Sequence, residues 1–235
     1  MNGLLVTGTD TGVGKTEVAV RLARSLVTAG LSLGVMKPCE TGIAPDPDHA
    51  LPPGSDAARL AEAAASDDPP ERVRPYVFEL PAAPTAAAEA EGRTLSLARL
   101  DEAWEALRAR HDAVLVEGAG GLLVPLTAQV DFADLAARWD LPLLIVARAG
   151  LGTLNHTALT VRVARSRGLR VLGVVVNQVD GPISDPDRAN LADLAGLVAP
   201  TPVLAELPHG AEADEATWEA VVAAVRAALA APTGA

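Results

Sequence analysis

Gly8-Thr9-Asp10-Thr11-Gly12-Val13-Gly14-Lys15-Thr16 decides how this chain is read. It follows a short apolar run, Gly3–Thr7, and opens a helix-length segment, Lys15–Ala29, that ends at Gly30. A phosphate site needs backbone N–H groups turned inward, a helix N-terminus behind them, a lysine for the outer phosphates and a hydroxyl for magnesium. Gly12 and Gly14 let the backbone come close, while Lys15 and Thr16 bring the charge and the metal ligand. The spacing is Gly-x5-Gly-Lys-Thr, one residue longer than the usual loop, so the stretch reads as a variant P-loop. Gly12, Val13, Gly14, Lys15, Thr16 and Glu17 are its candidate nucleotide contacts.

Outward from the loop, strand-like and helix-like segments alternate. Leu33–Lys37, Ala113–Glu117, Leu143–Ala147, Val171–Asn177 and Val203–Glu206 read as strands. The runs VLVE, LLIVA and VLGVVVN are apolar throughout, as strands buried on both faces are. Ser55 reads as the N-cap of Asp56–Ala65, and Ser96–Arg110 carries Leu97, Leu100, Trp104 and Leu107 at helical spacing. Phe132–Arg138, Leu154–Arg167, Arg188–Val198 and Glu215–Ala230 complete the predicted helices. Pro38–Gly54 and Pro81–Thr85 read as loops, and Pro75–Leu80 as a short extended piece. The expectation is an α/β, P-loop NTPase-like fold: one domain spanning residues 1–235, its mostly parallel sheet covered by helices on both faces. In such sheets ligands bind beyond the carboxyl ends of the strands.

Composition narrows the function classes. Thirty acidic against nineteen basic residues leave a net charge of −11, which argues against nucleic acid or an anionic membrane as partner. Cys39 is the only cysteine, so no intramolecular disulfide is expected; the composition suits a reducing cytoplasm. No apolar run has the roughly 18 residues needed to span a bilayer. Arginine occurs seventeen times and lysine twice, as Lys15 and Lys37. A lysine is a compact point charge that a planar guanidinium does not replace freely, so both lysines are candidate catalytic residues. Magnesium takes hard oxygen ligands, and Thr16, Asp56 and Glu117 are the candidates. A carboxylate at the end of a buried strand, as at Glu117, is costly without a cation.

GTDTGVGKT, MKPCETG, SDA, VLVEGAGGLLVP, GLGTLNH and VVVNQ occur in this order. Together they resemble dethiobiotin synthetases, from Val6 to about Pro208. The resemblance implies a cytoplasmic homodimer that converts 7,8-diaminononanoate, CO2 and ATP into a cyclic urea, with Mg2+ as cofactor. It makes Lys37 the principal electrostatic catalyst and places Thr11, Thr41, Gly118, Gly121 and Asn155 at the substrate, Asn155 across a dimer interface. It implies a loop of Gly118, Ala119, Gly120 and Gly121 around substrate and phosphates. It assigns Asn177, Gln178, Pro208, His209 and Gly210 to adenine, with Glu215 near the ribose. Relatives tend to carry a Pro-His pair near the diamine's tail; here Pro81-Ala82-Ala83-Pro84-Thr85 has threonine instead. The competing class is a partitioning-type nucleotide-switch ATPase, whose deviant loop carries a signature lysine where this chain has Asp10. A relative acting on cobalamin precursors needs a further glutaminase domain, for which 235 residues leave no room.

Overall fold

The computed structural model describes residues 3–210 and 215–230, and of Glu215 the backbone alone. In chain order the elements are β1 (Gly3–Gly8), α1 (Lys15–Thr28), β2 (Leu33–Met36), β3 (Cys39–Thr41), α2 (Asp56–Ala63) and α3 (Pro70–Val73). There follow β4 (Tyr76–Phe78), α4 (Pro84–Ala90), α5 (Leu97–Arg110), β5 (Ala113–Gly121), α6 (Phe132–Arg138) and β6 (Leu143–Arg148). The chain continues with α7 (Thr153–Ser166), β7 (Val171–Asn177), α8 (Asp185–Val198), β8 (Val203–Leu207) and α9 (Glu215–Ala230).

Six strands form one sheet in the order β2-β5-β1-β6-β7-β8, and every pairing is parallel. Parallel neighbours need crossovers, and the helices occupy them. Because successive strand side chains point to opposite faces, each strand feeds two cores. Leu5, Val116, Ile145 and Val176 face the core shared with α5, α6, α7 and α8. Leu4, Val6, Leu115, Val146 and Val175 face the core shared with α1, α2 and α9. Both sheet faces are thus removed from water, which explains why the strands are apolar without alternation. Each fully buried large apolar side chain contributes roughly 1.5–3 kcal/mol.

Local chemistry fixes the helices that matter for the site. α1 begins at Gly14, whose φ of +83° is left-handed. A Cβ there would lie 2.1 Å from Asn177 Nδ2, so glycine is required on two counts. Val18, Leu22 and Leu26 then bury one face of α1. α2 starts where expected, because Ser55 Oγ accepts from the Ala58 N–H at 3.2 Å.

The structure corrects the sequence reading in four places. The Pro38–Gly54 segment contains β3, which pairs in parallel with β4 in a separate two-stranded ribbon (Cys39↔Tyr76, Thr41↔Phe78). Three-residue strands are too short to show a periodicity. Pro84 does not belong to a turn but opens α4, since proline suits the first helical turn and alanines follow. β5 continues past Glu117 to Gly121, where Gly121 registers against Gly8 despite the low β-propensity of glycine. α8 begins at Asp185 rather than Arg188, because Ser184 caps it and proline sits in its first turn.

Candidate active site

β1, β2 and β5 end side by side, and their carboxyl ends carry the polar residues of one cavity of about 370 Å³. The phosphate loop supplies Thr11, Gly12, Gly14, Lys15 and Thr16 to its wall. Lys37 follows β2, Thr41 ends β3, Asp56 opens α2, and Glu117 and Gly120 come from β5. Lys37 Nζ donates to Asp56 Oδ2 at 2.7 Å and to Glu117 Oε1 at 2.5 Å. Thr16 Oγ1 donates to the same Glu117 oxygen at 2.8 Å. Lys15 Nζ donates to the Asp10 carbonyl at 3.0 Å and so folds back over its own loop. Gly120, with a φ of +63°, lies beside Thr11: a Cβ there would sit 3.4 Å from Thr11 Oγ1.

The electrostatics follow from burial. Glu117 is fully buried, and burial pushes its carboxyl up; Asp56 adds to that, while Lys37 and Thr16 oppose it. Burial alone would depress Lys37, but the Glu117 and Asp56 carboxylates outweigh it and hold the ammonium above the ordinary lysine range. For Asp56 burial acts upward, and the charge and hydrogen bond of Lys37 more than reverse it, so the carboxyl lies below its usual range. Lys15 is pushed down to about 8, first by burial and then by the neighbouring Lys37 charge.

The residues fit a magnesium ion. Glu117 Oε2 is buried without a hydrogen-bond partner, and an orphaned carboxylate oxygen is what an oxygen-seeking cation satisfies. Thr16 and Asp56 bring two further hard donors into the same cavity. Among the described residues no three His, Cys, Asp or Glu side chains form a cage.

A second cavity, of about 730 Å³, lies beside the first. Asn177, Gln178, Pro208, His209 and Gly210 line it together with residues of α1 and Arg59. Asn177 Nδ2 donates to the Val13 carbonyl at 3.1 Å, tying the end of β7 to the phosphate loop. Gln178 Nε2 donates to Glu206 Oε1 at 2.7 Å, and His209 Nδ1 lies 3.1 Å from the Gln178 carbonyl. The Glu215 side chain lies outside the described residues.

Ala119 also lines the first cavity. Gly118 directs its carbonyl toward Lys37 Nζ at 3.4 Å, and Gly121 lies against Gly8. Asn155 is not brought into this lining; it is exposed in the first turn of α7. Cys39 is fully buried at the cavity wall, and burial pushes its thiol up to about 12, leaving it an inert small residue.

Sequence reading missed two features. Glu40 is buried, accepts the Asp56 N–H at 2.6 Å on one oxygen and the Arg74 guanidinium at 3.1 Å on the other. No spacing connects residues 40 and 74. Arg59 pairs with Glu17 at 2.8 Å; its place three residues after Asp56, on the same face of a helix, was a readable signal.

Fold and cradle define the class: an α/β P-loop nucleotide-binding protein. Solved structures agree on the fold. The MinD cell division protein of Aquifex aeolicus matches with a TM-score of 0.54 at 13% identity, covering 99% of each chain. A ParA family ATPase of Chlorobium tepidum TLS gives 0.51 at 15% identity, covering 98% of this chain and 94% of its own. In sequence, the AAA_26 family model, described as an AAA domain, matches residues 2–217. The ATP-dependent dethiobiotin synthetase BioD of Anaeromyxobacter dehalogenans strain 2CP-C is 56% identical over 209 residues, 88% of this chain and 90% of its own. That of Bacillus subtilis strain 168 is 36% identical over 218 residues, 92% and 91% of the two chains. The chain belongs to the family of ATP-dependent dethiobiotin synthetases.

Proposed function

We propose that this protein is an ATP-dependent cyclo-ligase that carboxylates 7,8-diaminononanoate with CO2 and closes the ureido ring, yielding dethiobiotin, ADP and phosphate. The observation that carries the reading is the meeting of Lys15, Lys37, Thr16, Asp56 and Glu117 around one cavity, next to a second cavity of a size for a nucleoside.

One amine adds to CO2 and loses a proton, giving a carbamate. A carbamate oxygen attacks the γ-phosphorus as the bond to ADP breaks, giving a carbamic–phosphoric anhydride. The second amine attacks the anhydride carbonyl, loses a proton and expels phosphate, closing the ring. Such phosphoryl transfer needs positioning and charge neutralisation more than covalent chemistry. Lys37, protonated and held between Asp56 at the start of α2 and Glu117 of β5, is preorganised to face carbamate and γ-phosphate together. Lys15 and the loop N–H groups cradle the phosphates. Thr16, Asp56 and Glu117 would hold Mg2+, which when bound neutralises developing phosphate charge. Thr11, Thr41 and the backbone from Gly118 to Gly121 line the path of the diamine, and Asn177, Gln178, Pro208, His209 and Gly210 hold adenine.

Asn155 is exposed near Leu151 and Leu159, which are 92% and 52% exposed. An exposed apolar stretch beside an exposed amide supports a homodimer in which Asn155 reaches the partner's substrate. No helix among the described residues is long and apolar enough to cross a membrane, and the acidic composition supports a cytoplasmic protein acting on small molecules.

The test is mass spectrometry of the diamine incubated with protein, ATP, Mg2+ and labelled bicarbonate. The expected product is the cyclic urea carrying one labelled carbon, with phosphate released only when diamine and bicarbonate are both present. ADP formation indifferent to the diamine but stimulated by DNA or lipid overturns the reading.

A further inference from the structure

We infer that Arg59 is a nucleotide-binding residue, contacting the inner phosphate of the ATP that spans the two cavities, with Glu17 as its resting partner. This rests on the functional reading above in one respect, that a nucleotide fills both cavities.

The base-side cavity and the phosphate-side cavity share two lining residues, Glu17 and Arg59. A nucleotide with its base at Asn177–Gln178 and its outer phosphates at Lys15 must cross that shared wall. The parts that lie there are the ribose and the inner phosphate. Glu17 follows Lys15-Thr16 directly and sits in the first turn of α1. A helix N-terminus is where an inner phosphate rests on backbone N–H groups, and a bare carboxylate beside it would repel the anion. Arg59 meets that carboxylate at 2.8 Å and removes the repulsion.

Arg59 is also placed to do more than mask Glu17. It stands one turn after Asp56 on α2, and its charge is felt at the Asp56 carboxyl. The side chain is two-thirds buried against the cavity wall, whereas Glu17 is mostly exposed. Of the three cations that line the phosphate-side cavity, Lys15, Lys37 and Arg59, Arg59 is the one that also lines the base-side cavity. Arg21, on the wall of the base-side cavity, stacks over Trp218 at 4.6 Å. A planar guanidinium suits a phosphate because it donates two parallel N–H bonds.

Calorimetric titration of wild type, Arg59→Ala and Arg59→Lys with ADP and with adenosine tests this. Arg59→Ala should weaken ADP about tenfold, the worth of a charge-assisted hydrogen bond, and leave adenosine binding unchanged. Arg59→Lys should recover part of the loss. In turnover assays KM for ATP should rise with KM for the diamine unchanged. Equal weakening of ADP and adenosine would mean that Arg59 only shapes the cavity, and unchanged ADP affinity would mean a surface ion pair of no consequence; both overturn the inference alone. Wild-type protein that binds no adenine nucleotide overturns the functional reading as well.

Discussion

Two ion clusters meet at Asp56, which gives its N–H to one and its carboxylate to the other, and they are built in opposite ways. In the Glu40–Arg74 pair both carboxylate oxygens and both terminal guanidinium nitrogens are answered: one Glu40 oxygen takes the Asp56 N–H, the other takes Arg74, and Arg74 also donates to the Ala50 carbonyl at 3.0 Å. In the Lys37–Asp56–Glu117 cluster one Glu117 oxygen is crowded by two donors and the other has none. A satisfied buried pair holds structure, and breaking it by removing one partner is expensive. An unsatisfied one costs stability in the resting protein and is retained where a ligand completes it. The contrast marks one cluster as scaffold and the other as the candidate site without reference to any relative.

That contrast can be broken experimentally. Lys37→Gln should lower turnover by about 10²–10³-fold, the loss typical of removing a preorganised charge donor, while ADP still binds by calorimetry. Near-normal turnover would remove Lys37 from its role. Arg74→Met leaves the Glu40 carboxylate buried and unpaired, and should cost about 3–5 kcal/mol in urea unfolding. The folded fraction should keep far more activity than the Lys37 variant; the reverse order would collapse the distinction.

Glu117→Gln sharpens it further. The change removes a buried charge with an orphaned oxygen, so stability should fall much less than for Arg74→Met, or rise. Activity should nevertheless be lost and magnesium dependence with it, measured by phosphate release across Mg2+ concentrations. A stability loss matching that of Arg74→Met would show that Glu117 is scaffold.

The smallest effect belongs to a surface pair, Asp101 with Arg138. The hydrogen bond from Arg138, with a further one from Trp139, holds the Asp101 carboxyl below its ordinary range. A depressed carboxyl adds stability above its unfolded pKa of 3.8 and loses it as pH falls through the lower folded value. Asp101→Asn should therefore lower the unfolding midpoint slightly at pH 7 and not at all in strong acid. An equal loss at both pH values would assign the effect to packing.

The central strands and the flanking helices of the sheet were legible, because continuous apolar runs and 3.6-residue periodicity are local signals. Lys15, Thr16, Lys37, Asp56 and Glu117, which the structure gathers in one cavity, were legible as candidates: rare lysines, a loop of fixed spacing, and acids where burial needs a counter-ion. The β3–β4 ribbon was not, since each strand is three residues long and its partner lies across α2 and α3. Glu40 and Arg74 were not, because their meeting depends on how that ribbon folds back on α2. Residues whose reason for existing is one another, far apart in the chain, leave no mark on either segment.

The division of labour along the chain has a consequence for synthesis. The first cavity is lined entirely from residues 11–120, whereas the second takes one side from α1 and Arg59 and the other from Asn177 onward, completed by Pro208, His209 and Gly210. As the polypeptide leaves the ribosome, the residues of the first cavity emerge well before the second is complete. A nascent chain stalled after β6 would carry the whole Lys37–Asp56–Glu117 cluster but only the α1 and α2 side of the second cavity, so a ligand spanning both could be held only once β8 has emerged.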